Sequence, residues 1–251
     1  MSVAGKHAVV TGASRGIGRA IAESVAARGA RVSIISRSPP HVIVSLSKDD
    51  RAIHWTHGDV SKEDDVRKAF RHCRTVYGPI EILVNNAGIA EAAPFKRTSR
   101  EMWDRTIGTN LTGTFLCTRE ALADMLEAGW GRIVNVASIA GLAGAPYISA
   151  YCASKHGVVG LTRALAAELG ETGVTVNAIC PGYTEGDLLE RAIANITERT
   201  GRTAQQARAQ LAAMNPEGRI ATTGEVVRAV LDLTLGSRSG IARIVPGDAE
   251  E

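Results

Sequence analysis

The sequence predicts an α/β protein: one doubly wound domain with a seven-stranded, mainly parallel sheet and helices on both faces. Three observations carry that reading. Short β-branched runs alternate with longer Ala-rich helical patterns along the 251 residues. The strand candidates are apolar throughout, as strands covered on both faces are. A glycine-rich turn stands between the first strand and the first helix. No linker, internal repeat or low-complexity segment interrupts the pattern, so residues 1–251 are expected to form a single domain.

The elements follow in order. "HAVVTG" is the first strand, and "GIGRAIAESVAARGA" has the period of an amphipathic helix. "RVSIIS" and "IHWTHGDV" are the next strands, followed by a charged helix from Ser61 to about Tyr77. "EILVNNAG" is the fourth strand, with a helix around Asn110–Leu126 after it. "GRIVNVAS" precedes a helix from about Ser149 to Leu169, and "VTVNAICPG" and "IARIVPGD" complete the set. Two stretches break the rhythm. Pro39-Pro40 stops any helix before the β-branched "HVIVSL". Residues 183–214 read as helices inserted after a strand end, well placed to cover a ligand as a substrate lid.

Composition narrows the function. Apolar residues make up 45%, enough for a full core, and the net charge is only +3. Without a dense Lys/Arg block, and with 4% aromatics, nucleic-acid binding is not expected. Cys73, Cys117, Cys152 and Cys180 lie far apart with no CxxC spacing, which argues against a disulfide framework or a zinc site. Reduced thiols suit a cytosolic protein. The N-terminal apolar run is short for a signal peptide, and nothing approaches the ~18 apolar residues of a membrane span. The sequence therefore predicts a cytoplasmic protein with no membrane partner and no bound metal.

"TGASRGIG" (Thr11–Gly18) carries Gly12, Gly16 and Gly18, with Ser14, Arg15 and Ile17 between them. In strand–turn–helix context such a loop lets backbone N–H groups and a helix N-terminus approach a pyrophosphate. A structural glycine turn is the other explanation of the loop alone. NAD sites of this kind usually hold an Asp or Glu ~20 residues further on, for the ribose 2′-OH. Here Ser36 and Arg37 stand at that place. Arg37, with Arg15, offers guanidinium groups for a 2′-phosphate, which favours NADP(H) over NAD(H). Asp59 and Val60 end the third strand. Asp59 can accept from an adenine amino group, cap the following helix, or both.

Together with "NNAG" (Asn85–Gly88), Asn110, Ser138, "YCASK" (Tyr151–Lys155) and Pro181-Gly182, this loop makes the chain resemble the short-chain dehydrogenase/reductase family. The likeness runs from Lys6 to about Val245 and is greatest to 3-oxoacyl-thioester reductases, polyketide ketoreductases and hydroxyacyl-CoA dehydrogenases. It implies a Rossmann fold and hydride transfer between NADP(H), or alternatively NAD(H), and a ketone or secondary alcohol.

Carbonyl reduction needs a proton for the oxygen, and a free tyrosine, with a pKa of about 10, is a poor source at neutral pH. A nearby ammonium lowers that value. Tyr151 and Lys155, at i and i+4, share a helix face. Tyr147 is two turns from Lys155, roughly 12 Å on a continuous helix, and is either a pocket wall or a packed aromatic. The resemblance implies the same pair, Tyr151 as acid/base and Lys155 as its pKa-lowering partner and ribose ligand. It further implies that Ser138 orients the carbonyl and that Asn110 holds a water joining Lys155 to solvent. Asn86, Ala87 and Gly88 would pass the cofactor ribose, while Pro181, Gly182 and Thr184 would shape the nicotinamide pocket.

Departures from the family pattern refine this. Thr184 replaces a Val or Ile, and Gly186 replaces a Thr that helps hold the cofactor. Gly129 and Thr172 stand where carrier-protein reductases typically have basic residues, which favours a CoA thioester or a free ketone. Arg191, Arg199, Arg202 and Arg208 in the lid either meet such an arm or are solvated. The family expectation of a homotetramer or dimer meets an unusual tail, "RSGIARIVPGDAEE". A different class, a non-catalytic dinucleotide sensor, conflicts with the four filled catalytic positions.

Overall fold

A computed structural model describes residues 2–40, 53–247 and 250. The "HVIVSL" stretch lies outside the described residues. Seven strands pair in the order β3-β2-β1-β4-β5-β6-β7. They are β1 (His7–Thr11), β2 (Arg31–Ser36), β3 (His54–His57), β4 (Ile82–Asn85), β5 (Gly131–Val136), β6 (Val174–Pro181) and β7 (Ala242–Val245). Every neighbouring pair is parallel, so the sheet is wholly rather than mainly parallel. The order reverses between β1 and β4, which opens a crevice at the carboxyl ends of those strands.

The period-2 alternation of strands explains the two covered faces. Val10, Ile34, Val84 and Val134 point to one side. There they pack with Ile21 and Val25 of α1 (Gly16–Ala26) and Val226 and Val230 of α8 (Thr223–Leu235). Their neighbours Val9, Ile35, Leu83 and Ile133 point to the other. They meet Val66 and Phe70 of α2 (Glu63–Tyr77), Leu116 and Met125 of α4 (Gly113–Glu127) and Ala166 of α5 (Ser149–Glu168).

Two boundaries differ from the sequence reading. The helix expected from Asn110 starts earlier, as α3 (Arg100–Ile107), where Ser99 caps the first turn by accepting from Met102 N at 3.2 Å. A π-helical turn, Gly108–Thr112, joins α3 to α4, and Asn110 sits in that turn. Single π turns are concentrated at functional sites. The charged helix starts at Glu63, because Asp59 Oδ1 accepts from both N and Oγ of Ser61 and holds a turn ahead of it.

The inserted segment forms α6 (Asp187–Thr200) and α7 (Ala204–Ala212), joined on a small core of Leu189, Ile193, Ala207 and Leu211. None of the four cysteines forms a disulfide, and Cys73, Cys117 and Cys180 are buried. Among the described residues no helix is long and apolar enough to cross a membrane.

Candidate active site

The crevice is built by locking the ends of β1 and β4 together. Thr11 Oγ1 accepts from the N–H groups of Asn86 and Ala87, both at 3.1 Å. Asn86 Nδ2 returns bonds to the carbonyls of Thr11 (2.9 Å) and Gly12 (3.2 Å). A Cβ on Gly12 would lie 2.7 Å from Ala87 Cα, and one on Gly18 2.3 Å from Asn86 Nδ2. These two glycines therefore serve close packing of the turn. Gly16 is different: its φ is +58°, and a Cβ there would meet nothing within 4 Å. It opens α1, whose first turn no side chain caps. Uncapped N–H groups beside a smooth glycine surface fit an anionic pyrophosphate.

The predicted phosphate partners are in place but not alike. Arg37 is exposed at the end of β2, near enough to Asp59 to help hold its carboxyl ionised. Burial pushes the Asp59 pKa up, but the Ser61 bonds, then Arg37 and Lys62, bring it below the usual value. Arg15 makes a 3.5 Å ion pair with Asp187 on α6, both side chains well exposed. Such a pair is worth little and is readily exchanged for a phosphate. Ser36 is committed to the protein, donating to Ser38 O (2.8 Å) and accepting from Trp55 Nε1 (3.0 Å). Val60 is buried and sets how closely α4 approaches, since a Cβ on Gly113 would lie 2.9 Å from its Cγ2. Ser14 and Ile17 are partly buried in the turn.

Beyond the carboxyl end of β5 the remaining predicted residues converge. Ser138 caps a 3-10 turn, accepting from Ala140 N at 3.2 Å and donating to Pro181 O at 3.3 Å. It lies close enough to the Tyr151 phenol to lower its pKa. Lys155, only 4% exposed, donates from Nζ to Val136 O at 2.7 Å. Its Nζ lies 5.6 Å from the Tyr151 ring centroid. A Cβ on Gly88 would sit 3.4 Å from Asn110 Oδ1 and 3.7 Å from Lys155 Nζ, which places the "NNAG" turn against both residues. Asn110 Oδ1 accepts from Ile89 N (2.9 Å), and Nδ2 donates to Ile89 O (2.9 Å) and Ser154 Oγ (3.0 Å). Both amide N–H groups are engaged by protein, so the side chain ties the β4 loop to α5.

The electrostatics depart from expectation. Burial pushes the Tyr151 pKa up to about 12, against the lowering effect of Ser138. Burial also brings Lys155 down to about 8. Desolvation outweighs the lowering expected from Lys155, whose ammonium donates to the Val136 carbonyl. The phenol stays protonated at neutral pH.

Tyr147 is not a packed aromatic. It precedes α5, has φ +69° and is 64% exposed, with its carbonyl accepting from Ala93 N at 2.8 Å. The two-turn helix spacing to Lys155 therefore does not apply. Left-handed backbone at a non-glycine residue is strained and concentrates at functional sites. Gly186 has φ +134° at the start of α6, so the departure from Thr has a backbone cause. Thr184 Oγ1 donates to Gly182 O at 3.0 Å and is buried. Of the lid arginines, Arg202 bonds Gln210 and Arg208 pairs with Glu190 at 3.4 Å, while Arg191 and Arg199 are exposed.

A family model for short-chain dehydrogenases matches residues 6–197. The chain belongs to the short-chain dehydrogenase family. This family consists of NAD(P)-dependent oxidoreductases, and the chain is an enzyme of that kind. The chain is 37% identical over 226 residues to a D-beta-hydroxybutyrate dehydrogenase of Cupriavidus necator, 88% of each chain being covered. It is 39% identical over 188 residues to a 3-oxoacyl-acyl-carrier-protein reductase of Aquifex aeolicus, covering 73% of this chain and 76% of that one. A crystal structure of a single-substitution variant of actinorhodin polyketide ketoreductase with NADPH superposes with a TM-score of 0.88 at 34% identity, covering 96% and 95% of the two chains.

One residue of this short-chain dehydrogenase site had no sequence signal. Asn215 is buried after α7, more than thirty residues from the loop it holds. Its Oδ1 accepts from Tyr183 N (2.7 Å), and its Nδ2 donates to Tyr183 O (2.8 Å) and Arg219 O (2.6 Å). A Cβ on Gly182 would collide with it at 2.2 Å, so the Pro181-Gly182 turn is shaped around this amide. Asn215→Ala strands the Tyr183 N–H and the Arg219 carbonyl, while Tyr183 O keeps its bond from Ala221 N, and the expected loss is about 1–3 kcal/mol, read by urea unfolding. The variant should also show a raised KM for cofactor.

Proposed function

We propose that this enzyme reduces a small ketone with NADP(H), acting through Tyr151, Lys155, Ser138 and Asn110. The observation that carries the reading is the buried Lys155, whose Nζ lies 5.6 Å from the Tyr151 ring centroid, beside Ser138 at the carboxyl end of β5. The nicotinamide, when bound, supplies or takes the hydride. Ser138 and Tyr151 would hold the substrate oxygen and meet charge developing on it. Tyr151 gives its proton to that oxygen. With its pKa near 12 the phenol begins as the acid, which suits the reductive direction. Lys155, with a pKa near 8, carries a proton at neutral pH and stabilises the phenolate left behind. Asn110 is a positioning residue through Ile89 and Ser154.

Gly12, Ser14, Arg15, Gly16, Ile17 and Gly18 would cradle the pyrophosphate side. Ser36 and Arg37 would meet the ribose phosphate, and Asp59 and Val60 the adenine. Asn86, Ala87, Gly88, Pro181, Gly182 and Thr184 would flank the nicotinamide half. We assign residues 183–214 the role of a lid on a single domain, in a cytoplasmic homo-oligomer. Gly129 adopts φ +60° and Thr172 Oγ1 donates to Leu169 O at 2.8 Å, so neither presents a cation to an acidic carrier. That supports a CoA-type 3-oxoacyl thioester or a free ketone as substrate. The NAD(H)-dependent alternative, oxidising a hydroxyacyl-CoA or secondary alcohol, would leave the Arg15–Asp187 pair intact.

Tyr151→Phe should lower kcat at least about 100-fold, within the range for losing a general acid, while cofactor binding by fluorescence stays nearly unchanged. Full turnover in that variant contradicts the assignment. Arg37→Asp should move the ratio of kcat/KM for NADPH over NADH at least about tenfold toward NADH, as loss of a charge-assisted phosphate bond requires. An unchanged ratio removes Arg37 from the phosphate site.

A further inference from the structure

Away from the crevice, a pair of imidazoles joins the edge strand to a helix. His54 opens β3, and His72 lies in the third turn of α2. Their Nε2 atoms are 3.1 Å apart, with ring planes inclined at 51°. At that contact one ring donates and the other accepts, so a single shared proton holds them together. The same spacing suits two adjacent ligands on one metal ion. With metal–nitrogen bonds of ~2.0–2.1 Å, a 3.1 Å separation subtends about 95–102° at the ion. That lies between the ~90° of a square-planar site and the ~109° of a tetrahedral one.

We propose that His54 and His72 form a two-imidazole site for a late divalent transition-metal ion, Zn²⁺, Cu²⁺ or Ni²⁺, with water completing the coordination. The ligand chemistry selects these ions, since imidazole suits them while Ca²⁺ and Mg²⁺ require oxygen ligands. No group of three or more His, Cys, Asp or Glu suited to a metal occurs among the described residues, which contribute two ligands. His72 is exposed and His54 half-buried, which gives water access to the ion. The ion replaces the shared proton and fastens β3 to α2. Among the described residues β3 is an edge strand paired with β2 alone, and it runs directly into Gly58 and Asp59. The sequence expectation of no metal rested on cysteine spacing, and histidines eighteen residues apart gave no motif.

The test titrates the tag-free enzyme with ZnCl₂ and, separately, NiCl₂, by calorimetry and thermal unfolding at neutral pH. One ion per chain and a rise in Tm of about 5 °C at saturating metal are expected for a ligand that binds only the folded state. His54→Asn and His72→Gln should each weaken binding at least about tenfold, a ligand mattering no less than its supports, and should remove the Tm rise. His57→Asn, on the same strand but outside the pair, should retain both. Unchanged Tm values without metal show that the variants fold. Wild-type affinity in the His54 and His72 variants overturns the proposal, as does the absence of both heat and Tm shift in the wild type.

Discussion

The site depends on burying one ammonium group. Lys155 enters from α5 and ends against the last carbonyl of β5, Val136 O. What meets it is a neutral oxygen, not a carboxylate. Moving its pKa from 10.5 to about 8 corresponds to about 3 kcal/mol at 1.36 kcal/mol per unit. One charge-assisted bond, about 1.5–3 kcal/mol, does not offset the several kcal/mol lost on desolvating an ammonium. The surrounding packing must hold it there. Gly141 lets the 3-10 turn approach Lys155 O, where a Cβ would stand at 2.7 Å. Gly157 does the same for Leu111 of the π turn, at 2.6 Å.

The rest of the molecule brings the parts of the crevice to this point. A buried polar chain crosses the sheet beneath it: Asn85 Nδ2 bonds Thr118 Oγ1 (3.0 Å) and Asn135 Oδ1 (2.9 Å), and Asn135 Nδ2 bonds Thr162 Oγ1 (2.9 Å). It ties β4 and β5 to α4 and α5, the helices on which the π turn and the Tyr151–Lys155 pair depend. Asn110, Asn86 and Asn215 repeat the device in the loops above. Each uses an amide, which both donates and accepts, to fix irregular backbone that no strand or helix ladder can satisfy.

This layering explains what could be read from the sequence. Six of the seven strands were legible as short, largely apolar runs, β3 (HWTH) being the polar one, and the helices because α1, α2 and α6 are strongly amphipathic. The glycine loop and the i, i+4 spacing of Tyr151 and Lys155 are local, so their positions were legible too. The π turn at Asn110 was not, since no residue type marks an extra carbonyl spacing. Tyr147 was misplaced on the helix because its left-handed backbone is imposed by the Ala93 contact. Asn215 and the His54–His72 pair arise from residues brought together only by the fold. The pKa order of Tyr151 and Lys155 was also hidden, because spacing reports proximity while desolvation depends on everything packed around the pair.

The buried ammonium can be observed directly. Lysine labelled with ¹³C at Cε, assigned through Lys155→Arg and titrated by NMR in the cofactor-free enzyme, reports the protonation of this one group. Lys155 is expected to titrate with a midpoint of about 8, well below the ordinary lysine value. A midpoint at that ordinary value, ~10.4, would contradict the desolvation of the ammonium around which the crevice is built.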